Sequence, residues 1–169
     1  MIWRQAKAIL ILPVNVLIVI PSLLVYATND TQFAAAVPDP GDPTVWVAIF
    51  PLLTGGWLGG WSMILFWKFA NGTPAPWDPP QSLIIRGPYR HVRNPMISGV
   101  VFVLIAESLI FRSPAIGAWA TLFFIGNSIY FPLVEEKGLE KRFGESYVRY
   151  KSNVPRWLPC VRPWGGDGH

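Results

Sequence analysis

The sequence predicts an all-α, polytopic membrane protein: four transmembrane helices, the last two a helical hairpin, followed by a cytoplasmic amphipathic C-terminal helix. Three observations predict it. Hydrophobic residues make up 51% of the 169 residues against 14% charged, too little polar surface for a water-soluble domain. A mean hydropathy of +0.35 would by itself suit an apolar soluble core, so the second observation decides. The apolar residues form runs of about 20, the length that crosses a ~30 Å hydrocarbon layer at a rise of ~1.5 Å per residue. Third, when the runs are threaded through a bilayer from an inside N-terminus, all 14 Lys and Arg residues except Arg112 fall on the cytoplasmic face, as the Lys/Arg bias of short loops requires.

The first run, Ala8 to Ala27, carries no charge. Arg4 and Lys7 before it resemble a signal-peptide start, but the run exceeds the usual ~7–15-residue signal core and more spans follow, so it is expected to be retained. Pro13 and Pro21 within it are read as kinks. A loop with Asp30, Asp39 and Asp42 and no basic residue follows. The second run, about 45–67, contains Gly55, Gly56, Gly59 and Gly60, two overlapping small-residue pairs that would let another helix backbone approach closely. The last apolar region, Met96 to Val134, is too long for one helix and breaks at Arg112-Ser113-Pro114. It reads as a hairpin of helices at about 95–111 and 114–134. Ser113 caps the second arm and Pro114 opens it, since a first-turn amide has no helical partner to lose. The first arm is short, so it is recessed or relies on bilayer thinning. Glu107 near its outer end is an ionisable group at membrane depth; with Arg112 close by in sequence, it is read as a structural pairing or a polar contact near the outer interface, ahead of a catalytic role.

A net charge of +4 and a pI near 9.5 raise the question of nucleic acid, but the basic residues flank apolar runs and form no polar face of their own. No nucleic-acid partner is expected. One cysteine, Cys160, excludes an internal disulfide, and His91 and His169 alone make no zinc ligand cluster. No metal is expected either.

The remaining polar chemistry collects in segments 86–96 and 135–156, which this topology puts on one face. The linker before the first, residues 72–80, is proline-rich, with Trp77 suited to the headgroup region. Asn94 is a good N-cap and Pro95 a good first helical residue, so the third helix points its unpaired amides at the cytoplasm beside Arg90 and Arg93. Either this is an anion site for a carboxylate or phosphate, or the arginines snorkel to lipid headgroups and enforce topology. After Glu135-Glu136, the residues Leu139, Phe143 and Tyr147 recur every four positions. A continuous helix would add Glu135 to that stripe and aim its carboxylate inward. Lys137, Lys141 and Glu145 read as the exposed companions, with Lys141 and Glu145 a weak i,i+4 pair. A cationic helix mouth, two carboxylates and Tyr89, Tyr147 and Tyr150 suit a zwitterionic ligand with a cationic centre.

These residues carry a resemblance. Gly87-Pro88-Tyr89-Arg90-His91-Val92-Arg93-Asn94-Pro95-Met96, then Glu135-Glu136, Leu139, Phe143-Gly144, Tyr147, Tyr150 and Val154-Pro155-Arg156 resemble the isoprenylcysteine carboxyl methyltransferase and phospholipid methyltransferase family of integral membrane enzymes. The resemblance covers about half the chain and implies one membrane methyltransferase-like domain over 1–169. It implies an enzyme that binds S-adenosylmethionine at the cytoplasmic ends of its helices and methylates a lipophilic acceptor, such as an isoprenylcysteine-like carboxylate, an aminophospholipid or a small thiol. The cofactor-binding residues so implied are Tyr89, Arg90, His91, Arg93, Asn94, Pro95, Met96, Glu135, Glu136, Tyr147 and Tyr150. Glu135 and Arg156 are the residues expected at the chemistry, Arg156 to orient an anionic acceptor. The family's arginine-histidine-proline triplet is Arg93-Asn94-Pro95 here, which puts a histidine-specific contact in doubt. The expected location is a membrane, the inner or plasma membrane for a bacterial source, with both termini cytoplasmic. Two other classes remain open: an NADPH-dependent membrane reductase, and a non-enzymatic protein that binds anionic lipid.

Overall fold

The computed structural model describes residues 11–70 and 80–166, which are helical with no strand among them. Arg4, Lys7, residues 8–10 of the first run, most of the proline-rich linker with Trp77, and His169 lie outside the described residues. The helices are α1 (Asn15–Thr28), α2 (Pro43–Phe69), α3 (Pro95–Ile110), α4 (Pro114–Phe143) and α5 (Glu145–Asn153). Of these, α2 with 27 residues and α4 with 30 are long and apolar enough to cross a membrane. The other two apolar helices, α1 and α3, are shorter. The 16 residues of α3 span only ~24 Å, in keeping with the short third arm expected from the sequence.

The helix starts follow from local chemistry. Asp42 caps α2, its Oδ1 accepting from the Thr44 amide at 2.9 Å and the Thr44 hydroxyl at 2.8 Å. These bonds, led by that from the Thr44 amide, hold the Asp42 carboxyl below its usual range, with Arg112 adding to them. Ser113 Oγ accepts from the Ile116 amide at 3.4 Å ahead of Pro114, as expected. Asn94 O accepts the Ser98 amide at 3.0 Å, which sets Pro95 in the first turn.

Two prolines rewrite their helices in a way the sequence reading did not foresee. In α1 the residues Asn15–Val19 form a wide π-type turn, closed by the Ile20 amide on Asn15 O. Pro21 has no amide to give Val16 O, and the Trp119 indole donates to it instead at 3.1 Å. The proline run is thus a widened turn and not a plain kink. Around Pro132, Phe131–Glu135 form a second such turn, closed by the Glu136 amide on Phe131 O. Here the helix that carries the fourth expected span, about 114–134, continues past Val134 to Phe143. The extra residue rotates the following face by ~100° relative to an uninterrupted helix.

The contacts divide the chain into two compact units, 1–57 with 99–125 and 58–98 with 126–169. In the first, Gly55 makes the close approach read from the glycine pairs: a Cβ there would lie 2.6 Å from Gly99 O and 2.9 Å from the Val103 amide nitrogen. Gly56, Gly59 and Gly60 have nothing within 4 Å of that position. The small-residue reading therefore holds at one glycine of the four. Of the readings of Glu107, the pairing with Arg112 is not formed. Arg112 takes a left-handed conformation, φ 47, and forms its ion pair with Asp42. Beside it the Ala36 amide bonds Phe111 O at 2.7 Å, so the acidic loop is tied to the hairpin turn. Glu107 keeps a buried Oε2 without a hydrogen-bond partner.

The second unit has two apolar clusters. Leu65, Ala70, Ile84 and Tyr89 pack with Phe66, and Tyr147, Tyr150 and Val154 pack with Leu139, Phe143 and Trp164. The continuous helix expected from Glu135 through Tyr147 is broken at Gly144, whose φ of 55 and ψ of −134 suit glycine. With that break Lys141 and Glu145 share no helix, so the expected i,i+4 pair loses its geometric basis. Lys151 bonds Glu140 at 2.6 Å across the elbow.

Candidate active site

The second unit holds a cavity whose walls come from the two segments singled out in the sequence. Tyr89, Arg93, Asn94 and Met96 line it from the first, and Glu135, Tyr147 and Tyr150 from the second. Leu139 and Phe143 join them, so the stripe that begins at Glu135 faces one space although a helix break separates its last member. Phe66, Leu83, Ile97 and Phe131 also line the cavity. Ordinary apolar residues carry no chemical signature, which is why the sequence did not single them out.

Glu136 points elsewhere. Its side chain is 3% exposed and accepts from Arg93 Nη1 at 2.9 Å. It also accepts from Arg156 twice, Nε at 2.7 Å and Nη2 at 3.1 Å, and Lys151 Nζ lies 3.5 Å away. Arg156 is thus committed to Glu136 and is not among the cavity-lining residues. The two adjacent carboxylates have separate surroundings, Glu135 at the cavity and Glu136, itself buried, among Arg93, Arg156 and the more exposed Lys151. That cluster anchors the guanidinium of Arg93 by one end while Arg93 Nε remains buried without a partner, as does Asn94 Nδ2. Both residues line the cavity, and a buried donor left without a partner is costly.

Arg90 and His91, expected at the cofactor, instead hold the C-terminal tail. Arg90 Nε donates to Trp164 O at 2.9 Å, His91 Nδ1 donates to Cys160 O at 2.8 Å, and the Cys160 and Trp164 amides return bonds to His91 O and Arg90 O at 2.9 and 3.0 Å. The Arg93 amide bonds Pro155 O at 2.9 Å. Pro95 is fully buried at the start of α3. No periodicity in the tail announces these contacts, since they are made by irregular backbone.

The aromatic wall is tightly held. The Tyr150 hydroxyl donates to Tyr89 O at 2.7 Å, and the Tyr147 and Tyr150 rings lie 6.1 Å apart. Burial pushes the Tyr150 phenol up. Burial, then the charge of Glu136, pushes Tyr147 up from 10.0 to about 12. A phenol that resists ionisation when folded adds stability below its unfolded pKa and loses it as pH rises toward the folded value. Tyr147→Phe is therefore expected to flatten the fall in stability between pH 10 and 12. Denaturant titrations at several pH values measure the slope, and an unchanged slope would contradict this role.

Residues 43–146 match the family model described as phospholipid methyltransferase, which is more than half of the chain and includes the helix-mouth segment, both glutamates and the Gly144 elbow. The chain belongs to the phospholipid methyltransferase family. It is accordingly a membrane protein of a family whose activity is methyl transfer to lipid-like substrates. The phospholipid methyltransferase match ends before Tyr147, Tyr150 and Arg156. No curated protein and no solved structure was found to match the chain.

Proposed function

We propose that this protein is an S-adenosylmethionine-dependent methyltransferase acting on a lipophilic acceptor at the cytoplasmic face of the membrane. The acceptor class spans an isoprenylcysteine-like carboxylate, an aminophospholipid and a small thiol. The observation that carries the reading is the cavity itself, with Arg93 Nε and Asn94 Nδ2 as unpartnered buried donors and Glu135, Tyr147 and Tyr150 on the same walls. S-adenosylmethionine brings one carboxylate and two cationic centres. The donor pair suits the first, and a carboxylate with aromatic rings suits the others.

When bound, the cofactor supplies an already activated methyl group, so the protein forms no covalent bond to either partner. The residues have to bind, orient and exclude water. Arg93, held by Glu136, and Asn94 hold the cofactor carboxylate together with the first amides of α3. Glu135 takes its ammonium. Glu136 and Arg156 act on Arg93 rather than on either partner. Phe66, Met96, Ile97 and Phe131 give the acceptor an apolar approach. Four spans with cytoplasmic termini follow from the basic residues, with α1 and α3 as the short spans beside α2 and α4.

Calorimetry with S-adenosylhomocysteine on the detergent-purified protein tests this. Binding is expected, with Asn94→Ala weaker by about tenfold as one charge-assisted hydrogen bond is lost. A protein that binds NADPH and not S-adenosylhomocysteine would sink the proposal. Methyl transfer to each of the three acceptor types then identifies the substrate.

A further inference from the structure

We propose that Trp164 is a positioning residue for the cofactor cavity, acting through Tyr150 and through the backbone that carries Arg93 and Asn94. The proposal rests on the cofactor reading above. Trp164 lies in the tail, beyond the residues 43–146 that match the family model, and it does not line the cavity. Its attachment is nevertheless specific. The Trp164 amide donates to Arg90 O at 3.0 Å while Arg90 Nε donates to Trp164 O at 2.9 Å, a two-point clamp on a single residue. Its ring lies 5.8 Å from that of Tyr150, tilted by 40°.

Tyr150 does line the cavity, and its hydroxyl is committed to Tyr89 O at 2.7 Å. The ring is thus fixed at its hydroxyl by the segment before α3 and braced at its side by the indole. The same tail continues the clamp through Cys160 on His91 and Pro155 on Arg93. Arg93 and Asn94, two residues with unpartnered donors, therefore stand at the end of a segment pinned at Arg90, His91 and Arg93. A wall held in this way meets the cofactor without an ordering cost at binding, and loosening the brace restores that cost.

The test is calorimetry with S-adenosylhomocysteine on the full chain in detergent micelles. Trp164→Ala is expected to raise the dissociation constant about tenfold, the scale of one lost aromatic pairing, and Trp164→Phe to return it to within about twofold of the unaltered protein. Equal affinity of Trp164→Ala and the unaltered protein overturns the proposal, and so does a Phe variant as weak as the Ala variant. If the unaltered protein binds no S-adenosylhomocysteine, the cofactor reading itself fails. Should Trp164→Ala not fold, hydrogen exchange on the unaltered protein carries the test. Saturating S-adenosylhomocysteine is expected to slow exchange at the Arg93 and Trp164 amides, and unchanged exchange at saturation overturns the proposal.

Discussion

Replacing Glu136 with alanine is expected to lower the unfolding temperature by roughly 6–20 °C, the effect of losing about 3–5 kcal/mol in a chain of this size. The carboxylate is 3% exposed and Arg93 is 10% exposed, so the change leaves a buried cation without its counterion and strips Arg156 of two hydrogen bonds. Burial makes this far costlier than the loss of a surface pair such as Lys151 with Glu140, whose partners are 40% and 36% exposed. Arg156→Lys separates the contributions, because an ammonium cannot reproduce the forked contact. Thermal unfolding in detergent measures all of these variants. An unfolding temperature unchanged in Glu136→Ala would show that solvent already screens the cluster. Binding of S-adenosylhomocysteine should fall with stability, since Arg93 loses the anchor that aims it.

Glu135→Gln is expected to leave the fold intact and to weaken cofactor binding by about ten- to a hundredfold, the range for a hydrogen bond to a charged group. Glutamine keeps the shape and removes the charge, so the change tests electrostatics alone. The comparison of two ligands makes it specific. If Glu135 takes the ammonium, S-adenosylmethionine and S-adenosylhomocysteine both weaken. If its charge faces the sulfonium, only S-adenosylmethionine does, because S-adenosylhomocysteine lacks that charge. Unaltered affinity for both ligands would remove Glu135 from the cofactor site.

Much of this was legible in the residues, for identifiable reasons. The starts of α3 and α4 were readable because a capping side chain followed by proline has a local meaning that tertiary packing seldom overrides. The cavity-facing role of Glu135 was readable because its four-residue register with Leu139 and Phe143 falls within one helix. The split between the two glutamates was only half visible. Periodicity gave Glu135 a direction, but the burial of Glu136 depends on Arg93 and Arg156, distant in sequence. Arg112 was misassigned for a similar reason. Sequence proximity favoured Glu107, while the left-handed turn at Arg112 sends it to Asp42. Gly144 was ambiguous, since a glycine is tolerated in a helix as well as at its end. The clamp on the tail is irregular backbone, for which no periodic signal exists.

The bond from the Trp119 indole to Val16 O joins positions 103 residues apart, and this bears on how the protein is made. The carbonyl of Val16 cannot be served by its own helix, because Pro21 stands where the next donor would be. At ribosomal rates of 5–20 residues per second the donor is synthesised roughly 5–20 s after the carbonyl. In the interval no amide of its own helix serves that carbonyl. The first helix therefore completes its hydrogen bonding only when the helix that carries Trp119 has been made.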